Sequence, residues 1–181
     1  GNDNVAMVLG DNIFYGSNFS NILLDSAKIV NEECKSVIFG YEVRNPRQYG
    51  IVEFDKDWNA ISIEEKPKIP KSNFAVVGLY FYPNSVTEVA KRIKPSSRGE
   101  IEITSVNNHY LEKNQLKVKL LGRGFAWLDT GTIQDINNAS AYVRTIEERQ
   151  GNKIACLEEI AFLNKLIDKN QLENLMGELS K

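Results

Sequence analysis

The residues of this chain best suited to chemistry are two aspartates, a glutamate and two cations, all within short segments that hold a glycine, a proline or an apolar run. Asp11 follows Val5-Ala6-Met7-Val8-Leu9 and Gly10, and Asp129 follows Phe125-Ala126-Trp127-Leu128. Carboxylates at the ends of two sheet strands can share one hard cation. Magnesium takes oxygen ligands, typically one or two carboxylates with phosphates and water. Each aspartate is equally a good cap for a helix that follows it, and the spacing leaves both roles open. Lys66 sits in Glu64-Glu65-Lys66-Pro67, and Arg98 in Ser97-Arg98-Gly99-Glu100 just ahead of a predicted helix. A cation beside a helix amino terminus suits a phosphate. A solvated surface charge reads the same way in sequence. Glu65 can accept from the paired hydroxyls of a sugar, or pair with Lys66.

Glycines and aromatic residues complete the candidates. Tyr49-Gly50 and Val76-Val77-Gly78 put glycines where a backbone can approach a ligand closely, or where a strand merely bends. Leu79-Tyr80-Phe81-Tyr82 is an aromatic strand with one face for the core and another able to floor a sugar site. The single histidine, His109, lies in a predicted helix beside Tyr110 and is assigned a structural role. No G-x-S-x-G elbow and no cluster of His and Cys is present, which argues against a serine hydrolase and a zinc site.

The elements that must position these groups follow from periodicity. Val5 to Leu9 reads as a buried strand running into a loop at Gly10-Asp11-Asn12, and it needs neighbours on both sides, some from later segments and some missing from the chain. Apolar Phe19, Ile22, Leu23, Ile29 and Val30 predict a helix over 18–33, and Ser36 to Tyr41 a second strand. That order predicts a βαβ unit with parallel strands and a ligand site beyond their carboxyl ends. Strands are expected at 50–54, 60–65 and 76–82, the first two joined by a hairpin turn over 55–59. Helices are expected at 85–93 and 101–111, strands at 115–121 and 125–128, and helices from 133 to 181 with a break near Gly151. The fold class is α/β: a mixed central sheet with flanking helices over 1–132, and a helical tail over 133–181.

Composition narrows the partners. Of 181 residues, 22 are basic and 24 acidic, a net charge of -2, so no broad field attracts nucleic acid or an anionic membrane. No apolar stretch is long enough to span a bilayer. The two cysteines, Cys34 and Cys156, are expected to be free thiols in a reducing cytoplasm.

Several segments in order resemble one family. They are Leu9-Gly10-Asp11-Asn12-Ile13-Phe14-Tyr15-Gly16, Tyr49-Gly50-Ile51-Val52-Glu53-Phe54, Ile63-Glu64-Glu65-Lys66-Pro67 and Val77-Gly78-Leu79-Tyr80-Phe81-Tyr82. Arg98-Gly99-Glu100-Ile101-Glu102-Ile103-Thr104, Gly122-Arg123-Gly124-Phe125-Ala126-Trp127-Leu128-Asp129-Thr130-Gly131-Thr132 and Ile146-Glu147-Glu148-Arg149-Gln150-Gly151 complete the series. The chain resembles the sugar-1-phosphate nucleotidyltransferases, and among them the glucose-1-phosphate thymidylyltransferases. The resemblance implies a partial Rossmann-like nucleotidyltransferase fold. It implies that Asp11 and Asp129 hold magnesium, that Asn12, Gly50, Glu65 and Val76 contact the sugar, and that Tyr49 and Tyr80 line its pocket. Lys66 and Arg98 would bind the phosphate of glucose 1-phosphate. That phosphate would attack the α-phosphorus of dTTP in line, giving dTDP-glucose and pyrophosphate, toward dTDP-rhamnose in the cytoplasm. Such chemistry relies on positioning and charge neutralisation, which agrees with a chain holding one histidine. A homo-oligomer assembled through the helical tail is implied as well.

The family's glycine-rich loop, Gly-Gly-x-Gly-Thr-Arg-Leu in form, binds the triphosphate and has no counterpart in the sequence. The resemblance therefore implies an isolated chain without turnover, and a sheet edge that another segment covers. Three other roles stay open at this point: a sugar-phosphate-binding module without chemistry, a structural partner of a separate amino-terminal chain, and a UTP-using enzyme.

Overall fold

The computed structural model describes residues 1–96 and 98–179; Ser97, ahead of a predicted helix, and residues 180–181 of the predicted tail lie outside the described residues. The chain divides into two units, Gly1–Thr130 and Gly131–Lys181.

The first unit runs β1 (Val5–Val8), β2 (Asn12–Tyr15), α1 (Phe19–Glu33), β3 (Ser36–Glu42), a 3-10 turn (Pro46–Gln48), β4 (Gly50–Phe54), β5 (Ala60–Glu65) and β6 (Phe74–Tyr82). It continues with α2 (Val86–Arg92), α3 (Ile103–Glu112), β7 (Leu116–Leu121) and β8 (Ala126–Asp129). The main sheet has the order β5-β4-β6-β3-β7, with β1 also paired to β6. β6 is the strand on which the others depend. Along one edge it pairs with β3; along the other it meets β4 at Ala75 and β1 from Leu79 to Tyr82.

Alternation along β6 feeds two cores. Val76, Tyr80 and Tyr82 join Ile38, Val52 and Ile63 beneath α2 and α3, through Val89, Val106 and Tyr110. Val77 and Leu79 join Val37 and Phe39 against α1, through Val30 and its neighbours. Burial on both faces explains why β3 and β6 are apolar almost throughout rather than alternating with polar residues. Each large side chain buried this way contributes about 1.5–3 kcal/mol.

Two expectations need correction. β1 and β3 are each antiparallel to β6, so they run in the same direction, but β6 stands between them. The predicted βαβ crossover is therefore present without direct pairing of its strands. β1 itself alternates between half-buried and exposed, and Val8 is 56% exposed. Its pairing among the described residues is with β6 alone, so it is half-buried rather than buried, and the second neighbour expected for it is not among them.

The β4–β5 hairpin closes over Asp55–Asn59. The Asp55 carboxylate accepts from the backbone N–H of Asn59 at 2.9 Å, from its side-chain amide at 3.1 Å and from the backbone N–H of Asp57 at 2.9 Å, which in that order hold its carboxyl below the usual range. Trp58 takes a left-handed conformation, φ 62°, and packs on Phe54 and Phe74.

One polar contact ties α3 to the sheet. The Tyr82 hydroxyl donates to Asn107 Oδ1 at 2.5 Å, and both residues are fully buried. Tyr82→Phe leaves that oxygen without its donor and should lower the unfolding free energy by about 1–3 kcal/mol, read from denaturant midpoints.

The second unit is helical: α4 (Ile133–Gln150), α5 (Leu157–Leu163) and α6 (Lys169–Leu179). Thr132 caps α4 by accepting from the Asp135 N–H, and Gly151 ends it at φ 72°, which is the break seen in the sequence. Asp168 and Gln171 satisfy each other's backbone N–H groups in a capping box at the start of α6. Cys34 and Cys156 are free. No described helix is long and apolar enough to cross a membrane.

Candidate active site

The aspartates are placed by a strand, β2, that is not among those expected from the sequence. β2 pairs antiparallel with β8 in a two-stranded ribbon, with Asn12 opposite Asp129. The ribbon is tied at its end, where the Asp11 carbonyl accepts from the Thr130 N–H at 2.9 Å and its hydroxyl at 2.8 Å. It is anchored to the body by aromatic contacts: Phe14 on Phe19, Phe19 on Phe125, and Trp127 on Tyr41 and Tyr49. Neither aspartate caps a helix, because Asn18 and Thr132 occupy the cap positions of α1 and α4. Asn12 lies between the two: its Nδ2 donates to Asp11 Oδ1 at 2.8 Å.

The open end of the β4–β5 hairpin carries the second group. Gly50 pairs with Glu65, and one rung further the Lys66 N–H donates to the Tyr49 carbonyl at 3.0 Å. A Cβ on Gly50 would sit 3.1 Å from both Glu65 Oε2 and Thr104 Oγ1, so glycine leaves these two free to meet. They do: the Thr104 hydroxyl, from the first turn of α3, donates to Glu65 Oε2. Lys66 is exposed and left-handed, φ 44°, immediately before Pro67. That conformation is costly for a residue with a side chain and ends the ladder there.

Arg98 differs from expectation. α3 begins only at Ile103, so Arg98 is not at its first turn. Its guanidinium lies among carboxylates, 3.3 Å from Glu102, 3.4 Å from Glu100 and 3.8 Å from Glu65.

One cleft of about 200 Å³ gathers most of these groups. Asp11, Asn12, Tyr49, Gly50, Glu65, Val76, Tyr80 and Asp129 all line it; Lys66 and Arg98 do not. Gln48, Ile103, Thr104 and Trp127 line it too, none of them among the site residues expected from the sequence. Ile103, Thr104 and Trp127 lie within the family-like segments, but no local signal marks their side chains as facing a site.

Tyr80 is on the cleft yet only 3% exposed, and it stacks parallel to Tyr82. Both faces of β6 are thus covered, and Tyr80 serves core and cleft together. Burial first, then the Glu65 carboxylate, pushes its hydroxyl up to about 12. The unfolded tyrosine ionises near pH 10 while the folded one keeps its proton, so the unfolded state binds fewer protons in that window. The Tyr80 contribution to stability should be constant below pH 10 and fall by about 2–3 kcal/mol as pH rises toward 12. Tyr80→Phe should remove that share of the alkaline fall in denaturant titrations at successive pH values, leaving the part due to Tyr82 and Tyr110, whose hydroxyls burial also pushes up.

Residues 1–146 match the family model described as nucleotidyl transferase. The chain belongs to the nucleotidyl transferase family. Among its nucleotidyl transferase relatives, a glucose-1-phosphate thymidylyltransferase of Neisseria meningitidis is 50% identical over all 181 residues, covering 62% of that protein. One from Mycolicibacterium smegmatis is 52% identical over the same span, again 62% of its length. A solved structure from Bacillus anthracis, described as a glucose-1-phosphate thymidylyltransferase in complex with a sucrose, is 35% identical. It superposes with a TM-score of 0.68 over 80% of this chain and 56% of its own. The mixed α/β fold expected from the sequence is the nucleotidyl transferase fold. The chain spans about 62% of the length of the curated relatives it matches.

Proposed function

We propose that this chain is the metal- and sugar-phosphate-binding part of a glucose-1-phosphate thymidylyltransferase, which transfers a thymidylyl group from dTTP to glucose 1-phosphate and yields dTDP-glucose and pyrophosphate. The observation that carries the reading is a single cleft lined by two carboxylates, Asp11 and Asp129, together with a glycine-backed glutamate, Glu65.

The donor set fits magnesium. Asp11 and Asp129 offer carboxylate oxygens, and no histidine or cysteine lines the cleft. Among the described residues no larger cluster of His, Cys, Asp or Glu competes for a metal. Two carboxylates with phosphate and water are what this ion usually takes. Bound there, magnesium would neutralise charge on the reacting phosphates, the main requirement of phosphoryl transfer.

The chain's own residues do the positioning. Glu65 accepts from sugar hydroxyls, its carboxylate already oriented by Thr104. Val76 and Tyr80 floor the ring, and Asn12 and the Tyr49-Gly50 backbone flank it. Lys66 and Arg98 take the sugar phosphate, Arg98 by leaving the carboxylates that hold it in this structure. Free thiols at Cys34 and Cys156 suit the cytoplasm. The helical unit assembles like chains, supported by exposed Leu157, Leu163 and Leu166, and light scattering tests it.

The test is a chimera in which this chain replaces its counterpart in the Neisseria meningitidis enzyme. It should release pyrophosphate from dTTP and glucose 1-phosphate with magnesium. The isolated chain should bind glucose 1-phosphate by calorimetry without turnover. Failure of both would sink the reading.

A further inference from the structure

We propose that Trp127 is a positioning residue for the Asp11 carboxylate, acting through the side-chain amide of Asn12. The inference rests on the reading of Asp11 as a cation ligand.

The ribbon register brings the three together. Asn12 stands opposite Asp129, so Trp127, two residues earlier on β8, is its diagonal neighbour on the same face. The Trp127 Nε1–H donates to Asn12 Oδ1 at 2.6 Å. The Gly78 backbone N–H donates to the same oxygen at 3.3 Å. An indole nitrogen only donates, so the amide must turn its oxygen toward Trp127. Its NH2 is then directed at Asp11 Oδ1, which it meets at 2.8 Å. Turned over, the amide would set NH2 against two donors and its oxygen against a carboxylate. Both ends would be repelled, so one orientation is fixed.

Each member of the relay is itself held. The Trp127 ring packs edge-on against Tyr49 at 5.1 Å and Tyr41 at 5.9 Å, and the Tyr41 hydroxyl donates to the Phe125 carbonyl at 3.1 Å. Gly78 lies where the β3–β6 register shifts, between the Ile38–Tyr80 and Gly40–Val76 pairs. A Cβ there would come within 2.6 Å of Asn12 Oδ1, so the close approach requires glycine. Partners that orient a ligand carboxylate raise cation affinity by fixing it beforehand, and losing one typically costs about 10–100-fold.

The experiment measures Mn2+ binding to the whole chain by electron paramagnetic resonance. Trp127→Phe keeps a smaller aromatic ring against Tyr49 and Tyr41 and removes the N–H; it should weaken Mn2+ by at least about tenfold. Trp58→Phe, at the distant hairpin tip, should leave binding as in the parent. The relay also predicts non-additivity: Trp127→Phe combined with Asn12→Ala should bind no worse than Asn12→Ala alone. Equal affinity in Trp127→Phe, or full addition of the two losses, overturns the proposal while leaving the metal site standing. A parent chain that binds no Mn2+ overturns the metal reading and the proposal with it. Should Trp127→Phe fail to fold, the parent's two indole N–H resonances decide. Mg2+ must shift that of Trp127 and not that of Trp58, and an unmoved Trp127 signal overturns the inference.

Discussion

Asp129→Ala in the chimera should lower kcat/KM by about a thousandfold or more at fixed magnesium, with little change in thermal midpoint. The size follows from the role. Charge stabilisation at a metal-assisted phosphoryl transfer is worth several kcal/mol, and each 1.4 kcal/mol is about tenfold in rate. The fold should survive, because Asp129 is the last residue of β8 and its place opposite Asn12 is set by backbone pairing. Glucose 1-phosphate affinity in the absence of metal should stay close to that of the parent, since Glu65 and Gly50 belong to another element. Near-normal turnover by this variant would refute the metal role.

Gly78→Ala should be the most damaging change at a residue that itself holds neither metal nor substrate. The added methyl would meet Asn12 Oδ1 at 2.6 Å and the end of Leu9 at 2.7 Å. Leu9 is 43% exposed and can swing outward. Asn12 cannot yield as cheaply, because Trp127 and Asp11 hold it from two sides. The strain is therefore relieved at the site rather than in the core. We expect catalytic efficiency in the chimera to fall by about 10–100-fold, the usual loss when a supporting partner is displaced. The unfolding free energy should drop by less than the ~1–3 kcal/mol typical of overpacking a rigid core. A large loss of stability with intact kcat/KM in the folded fraction would mean that Leu9, not Asn12, is the rigid partner.

What the sequence revealed and what it hid divide along a physical line. β4 and β5 were predicted at their observed bounds, because a hairpin announces itself through two short strands and a polar turn close together. β2 was missed because its partner is on β8: Trp127 and Asn12 are 115 residues apart, and no local pattern reports such a pairing. The eight cleft residues named from the sequence stand at recognisable motif positions. Thr104 and Trp127 act through where their side chains point, which depends on the start of α3 and the register of the ribbon. Placing that helix from residue 101 rather than Ile103 also hid the surroundings of Arg98, since Glu102 precedes the helix and is available to its guanidinium.

The hairpin that carries Gly50 and Glu65 at its open end also offers a place to attach a label. Its turn at Asp55–Asn59 lies at the far end of both strands, while Ile51–Glu64 and Val52–Ile63 keep the register between them. Extra chain length in a surface turn is cheap, each doubling costing only about 0.6 kcal/mol. A short dye-binding peptide spliced between Lys56 and Asp57 would ride on the same rigid element as the sugar-facing glutamate without entering the cleft. Ligand binding could then be followed optically in a protein whose own tryptophans sit one in the site and one at the tip.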